Sequence, residues 1–117
     1  MTEEETITMY RPCSRKELDL VIQSAYSKWP PRLPEQPIFY PVTNQQYAAE
    51  INKWNLSQYG NAYITKFKVK KSFVQRYDIQ QVGDRHHTEW WIPAEELEEL
   101  NKNIVGLIEV ISEEANA

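Results

Sequence analysis

The sequence predicts a single α+β domain spanning residues 1–117. Helical spacing of apolar residues is concentrated in the first half of the chain, and alternating apolar and polar positions dominate the second. The resulting order is strand, helix, strand, helix, several strands, a short helix and a final strand, which is not regular βαβ winding. A length of 117 residues suits one domain with one core.

Thr6-Ile7-Thr8-Met9-Tyr10-Arg11 alternates and reads as a strand broken by Pro12. Ser14-Arg15-Lys16-Glu17 matches a capping box, and Leu18, Val21, Ile22 and Ala25 continue at helical spacing until Trp29-Pro30-Pro31. Pro30, Pro31, Pro34 and Pro37 predict a stiff extended loop that wraps the domain. Ile38-Phe39-Tyr40 is a short strand. Thr43-Asn44-Gln45-Gln46 caps a second helix, with Tyr47, Ala48, Ile51 and Trp54 on one face and a turn region at 55–61. Residues 62–69 alternate as a strand, with Tyr63, Thr65, Phe67 and Val69 on one face. One helical turn at 72–75, a strand at 79–82 and a turn at Gly83-Asp84 follow. After a strand at 86–92, Pro93 starts a helix over 94–101, and 104–111 closes as a strand carrying Gly106.

Composition excludes several classes. No apolar run approaches the roughly 20 residues of a membrane helix, and no signal segment opens the chain, so a cytoplasmic protein is expected. The acidic start Met1-Thr2-Glu3-Glu4-Glu5 reads as a solvated, frayed end. The single cysteine, Cys13, excludes an internal disulfide. It lies near Arg11, Arg15 and Lys16 before a helix, features that lower a thiol pKa, though a lone cysteine is more commonly inert. A net charge of −4 argues against general nucleic-acid binding, and Lys66, Lys68, Lys70 and Lys71 read as protection of a strand edge. Three glycines leave no material for a glycine-rich phosphate cradle, and there is no GxSxG elbow. The run Glu95, Glu96, Glu98, Glu99 fits a solvated first helical turn.

The segment His86-His87-Thr88-Glu89-Trp90-Trp91-Ile92-Pro93 carries the candidate chemistry. Strand alternation puts His87, Glu89 and Trp91 on one face and His86 on the other. A carboxylate among aromatics is costly unless paired or used, and Arg85, Arg11 or a lysine could pair it. No metal is expected, because adjacent strand histidines point apart and no further Cys/His cluster completes a site. Arg11 can bind a carboxylate or phosphate through two parallel hydrogen bonds. Tyr10, Tyr40, Tyr47 and Trp91 could stack a flat ring, or simply form core.

These residues together resemble a known class. Tyr10-Arg11 at the end of the first strand resembles the arginine motif of those ADP-ribosyltransferases that use arginine, a serine-bearing strand and glutamate. Phe39-Tyr40-Pro41-Val42-Thr43 before the Tyr47-Ala48 helix is similar to the second motif, which forms the nicotinamide floor. His87-Thr88-Glu89 is similar to the third, with His87 where Gln or Glu usually orients the acceptor; Thr43 is the nearest stand-in for a serine of the second motif. The whole sequence also looks like a group of short bacterial proteins labelled "ADP-ribosylation/crystallin". The resemblance implies an ADP-ribosyltransferase-like split β-sandwich, with two helices in the N-terminal half and a short helix before the last strand. It implies cleavage of the nicotinamide–ribose bond of NAD as substrate, with Glu89 and His87 as catalytic residues. Arg11, Tyr10, Tyr40, Thr43, Tyr47 and Trp91 would bind NAD or a related nucleotide. The acceptor would be water, a protein or a nucleic acid.

Two other functions fit the same residues. One is a catalytically silent module of this fold that binds a nucleotide or a protein. The other is a small interaction protein whose Trp90-Trp91 pair and proline loop form an exposed contact patch.

Overall fold

A computed structural model describes residues 5–115. Of the predicted acidic start, all but Glu5 lies outside these residues; Glu5 pairs with Lys71 Nζ at 3.0 Å. Strand β1 (Thr6–Cys13) runs past Pro12. The N–H of Tyr10 points to Val42 O at 2.9 Å, so the nitrogen of Pro12, two residues on, faces the same side. The missing donor is on the edge away from the neighbouring strand and costs no ladder bond.

Helix α1 (Arg15–Gln23) follows, with Ser14 as N-cap residue but no side-chain cap bond. The predicted capping box does not form, because Glu17 is taken by two arginines. The helix also stops before Ala25. Ala25 and Tyr26 adopt left-handed φ of 61° and 60°, and Ser24 Oγ accepts from the N–H groups of Ser27 and Lys28. The proline loop is not extended throughout: Gln36 N bonds Leu33 O at 2.8 Å in a tight turn, and its first aromatic, Trp29, sits in the core at 1% exposure. Trp29 packs on Phe39 and Phe67 at ring separations of 5.5 and 5.3 Å. Its backbone is clamped to Asn101 by two reciprocal amide bonds of 2.8 and 2.9 Å.

Strand β2 (Ile38–Phe39) leads to α2 (Gln45–Tyr59), capped by Asn44 accepting from Tyr47 N at 2.7 Å. This helix runs through the predicted turn region and ends at Gly60, whose φ of 75° supplies the left-handed cap. Tyr47, Ala48 and Ile51 face inward, whereas Trp54 is 56% exposed and meets Tyr59 edge-on. Strand β3 (Asn61–Lys70) is followed by the single turn α3 (Lys71–Val74), β4 (Ile79–Gln81), β5 (Thr88–Trp90) and β6 (Ile92–Pro93). A 3-10 turn at Ala94–Glu96 opens α4 (Leu97–Lys102), and β7 (Ile104–Ala115) ends the described chain.

β3 is the middle of an antiparallel β1-β3-β7 sheet. Register shifts between Lys66 and Lys68 bulge β7 around Gly106, at φ 80°, and Ile108 N there bonds Tyr26 O at 2.8 Å. On the other side, Val42 bridges β1 and β5: it exchanges backbone bonds with Tyr10 and faces Glu89, with Pro41 O accepting from Trp90 N and Thr43 N donating to Thr88 O. β5 pairs with β4, and β6 pairs with β2. The domain is therefore α+β, with small sheets and four α-helices among the described residues. Among the described residues, no helix is long and apolar enough to cross a membrane.

Candidate functional site

The bridging at Val42 decides which side chains meet. It lays the end of β1 beside β5, so Arg11 and Glu89 come to one cavity of about 310 Å³. Tyr40, Ile51, Trp54 and Asn55 complete most of its wall.

Glu89 is 8% exposed. Its Oε1 accepts from Tyr47 Oη at 3.0 Å and its Oε2 from Trp91 Nε1 at 3.1 Å. Both donors are neutral, and among the described residues no cation lies within ion-pair distance of Glu89. The predicted pairing with Arg85, Arg11 or a lysine does not form. A carboxylate offers about four lone-pair sites, so two remain for another donor. Burial and the Glu89 carboxylate push the Tyr47 hydroxyl up to about 12, so Tyr47 keeps its proton and acts as a donor. Tyr47→Phe is expected to cost about 1.5 kcal/mol, the worth of a hydrogen bond to a charged group, read by urea denaturation. An unchanged midpoint would show that Tyr47 does not hold Glu89.

Arg11 is held by Glu17. Its Nε and Nη2 both donate to the Glu17 carboxylate at 2.9 Å, and its guanidinium lies over the Phe39 ring at 4.8 Å. Arg32 Nη1 joins the same carboxylate at 3.2 Å. Burial raises the Glu17 pKa, but the Arg11 charge and hydrogen bonds, with those of Arg32, outweigh it and hold the carboxyl below its ordinary value. Two guanidiniums share one carboxylate, so the cluster beside the cavity keeps one positive charge.

The remaining predicted residues divide. Tyr40 lines the cavity and is 43% exposed. Trp91, also 43% exposed, reaches back to Glu89 on the face that strand alternation gives it. Tyr10 packs against the small cluster of Val42, Ala48 and Ile64 and is not part of the cavity wall. The Thr43 hydroxyl bonds that of Thr88 and accepts from Asn44 Nδ2, so it ties strand to helix cap. His87 is one layer back, its ring stacked on Tyr47 at 4.8 Å.

The expectation that His86 and His87 point apart fails. β5 begins only at Thr88, and the two histidines sit in the preceding turn, where Thr88 N bonds His86 O at 2.9 Å. Both imidazoles turn to Glu50 on α2. Trp90, 4% exposed, belongs to the core, so there is no exposed tryptophan pair. The acidic run is also only partly solvated: Glu96 accepts from Tyr77 Oη and Glu99 pairs with Arg76 at 2.8 Å.

Cys13 is 4% exposed, and burial pushes its thiol up to about 12 in spite of Arg11. The sequence neighbours that favour a thiolate are outweighed by desolvation. Cys13 is expected to resist an excess of a thiol-specific chromogenic reagent until denaturant unfolds the chain. Fast labelling of the native protein would contradict its burial.

Sequence reasoning missed Glu17 and Arg32 as partners of Arg11, and Glu50 as the focus of the histidines. Glu17 was masked by its fit to a capping box. Glu50 carried no local signal, since its partners are 36 and 37 residues away. The chain matches no family model, no curated protein and no solved structure.

Proposed function

We propose that this chain is an NAD-cleaving enzyme with an ADP-ribosyltransferase-like fold, acting as an ADP-ribosyltransferase or NAD glycohydrolase. The observation that carries the reading is the convergence of Glu89, Arg11 and Tyr40 on one cavity, with Glu89 buried and free of any cationic partner among the described residues. The cavity is at the lower end of the size range of small-molecule sites, so it takes one heterocycle and its sugar. The rest of a dinucleotide runs out over the exposed rings of Tyr40 and Trp54.

In this reading Tyr40 packs the nicotinamide. A free lone pair of Glu89 accepts from the ribose 2′-hydroxyl. The C1′–N bond breaks with its electron pair passing to the pyridinium nitrogen, which leaves neutral nicotinamide and an oxocarbenium-like ribose. The Glu89 carboxylate stabilises that cation in a site sheltered from water, where fixed charge acts most strongly. Water or a nucleophilic acceptor then attacks C1′ and releases a proton. Arg11, aimed by Glu17 and carrying the cluster's surplus charge, anchors the pyrophosphate.

The test is nicotinamide release from NAD by the purified full chain, with and without cell lysate as acceptor. Release is expected, and its absence in both conditions would overturn the enzymatic reading. A silent nucleotide-binding module is the second reading. It is favoured by one observation: His87 is tied to Glu50 rather than open to the cavity. NAD titration without turnover would identify it.

A further inference from the structure

A second cluster lies behind Tyr47, away from the Glu89 cavity. Glu50 stands on the inner turns of α2, and His86 and His87 on the turn before β5. His86 Nε2 hydrogen-bonds Glu50 Oε2, and His87 Nε2 lies 3.2 Å from Oε1. One ligand atom from each of the three residues lies within 4.8 Å of the other two. Tetrahedral zinc with bonds of about 2.0–2.1 Å places its donors roughly 3.3 Å apart, so small side-chain rotations suffice. His86 and Glu50, 31% and 40% exposed, have room to make them, while His87 is 23% exposed.

The scaffold beneath them is fixed. Asn44, the cap of α2, donates Nδ2 to His86 O at 2.8 Å, joining the helix that carries Glu50 to the turn that carries the histidines. His87 is held between the Tyr47 ring and Gly83, where a Cβ would come within 2.5 Å of His87 Nδ1. Two imidazoles and one carboxylate are the donor set of zinc-class ions; magnesium and calcium require oxygen donors.

We propose that Glu50, His86 and His87 form a binding site for a single divalent transition-metal ion of the zinc class, with three protein ligands and a water. This inference is independent of the NAD reading. The His87 Nδ1 accepts from Asp84 N at 3.0 Å, which places the ring proton on Nε2. Metal on Nε2 displaces that proton to Nδ1, so loading gives up the Asp84 bond and loosens the turn. The site is therefore weaker than one preorganised for metal, and its histidines stay in place without it.

The test is isothermal titration of the chelator-treated full chain with zinc sulfate. Saturable binding of one ion per chain is expected. Glu50→Gln, His86→Ala and His87→Ala should each weaken it at least about tenfold. Glu95→Gln, an exposed acid on the 3-10 turn, should leave it unchanged. A second measurement does not depend on the variants folding: wild-type protein loaded with cobalt(II) should show the visible spectrum of a four-coordinate nitrogen and oxygen site, bleached by one equivalent of zinc. No saturable uptake would overturn the proposal, as would binding equally strong in all folded ligand variants, or a cobalt spectrum of the free aqueous ion.

Discussion

Glu89→Gln is expected to leave the protein folded and to reduce nicotinamide release by at least about a hundredfold, the scale on which a fixed electrostatic stabiliser acts. The fold survives because glutamine can satisfy both neighbours. Its carbonyl accepts from Trp91 Nε1, and its amide donates to the Tyr47 oxygen, which can accept as well as donate. What disappears is the negative charge facing the ribose. Urea denaturation should place the variant within about 1 kcal/mol of wild type, since no buried group is left unpaired. Nicotinamide release and NAD titration are then read on the same preparation. Undiminished turnover in a folded variant would sink the role of Glu89. Tight NAD binding with lost turnover would place its contribution in the transition state.

Glu17→Gln has the largest expected effect on stability, a loss of about 3 kcal/mol. Glu17 receives three hydrogen bonds from two arginines, and the three side chains are 17%, 13% and 8% exposed. Removing the carboxylate charge leaves two guanidiniums close together with nothing to neutralise them, and breaking such a pair from one side is far costlier than never building it. Asp19→Asn, which opens the half-exposed Arg15–Asp19 pair on the same helix, should cost under about 0.5 kcal/mol. Equal effects of the two would remove the special status of the triad. Acid sensitivity follows with a definite sign. The folded Glu17 carboxyl titrates below its ordinary value of 4.5. Its contribution is present above that value and is lost as pH falls through the lower folded one, because the unfolded chain takes up the proton first. Stability curves between pH 6 and 3 should therefore fall less steeply for Glu17→Gln than for wild type.

The two variants also separate the site's two halves. Glu89 is held by Trp91, two residues on, and by Tyr47 of α2, whereas Arg11 is positioned by Glu17 of α1, whose carboxylate also takes Arg32 of the proline loop. Loss of Glu17 should therefore weaken NAD binding through Arg11 even where the protein remains folded.

Much of the local structure was legible because it follows from periodicity. The alternation of residues 62–69 lies within β3, the spacing of Tyr47, Ala48 and Ile51 gave the inner face of α2, and Trp91 did land on the face of Glu89. Local rules failed where a distant group competed. Ser14 and Glu17 have the spacing of a capping box, but two arginines outbid the backbone amide for Glu17. Trp54 has helical spacing with Ile51, yet it stands at the mouth of the cavity and stays exposed. His86 and His87 obey no strand alternation, since the strand starts one residue later. The sequence by itself determined an α+β chain and put a carboxylate among aromatics in a short strand. Only the tertiary structure decided that Arg11 joins that carboxylate at one cavity, that Tyr10 and Thr43 do not, and that Glu50 draws two histidines together. The reason is physical: those outcomes depend on the backbone bridges at Val42 and on ionic contacts across the chain, and neither leaves a periodic mark in the residues that make it.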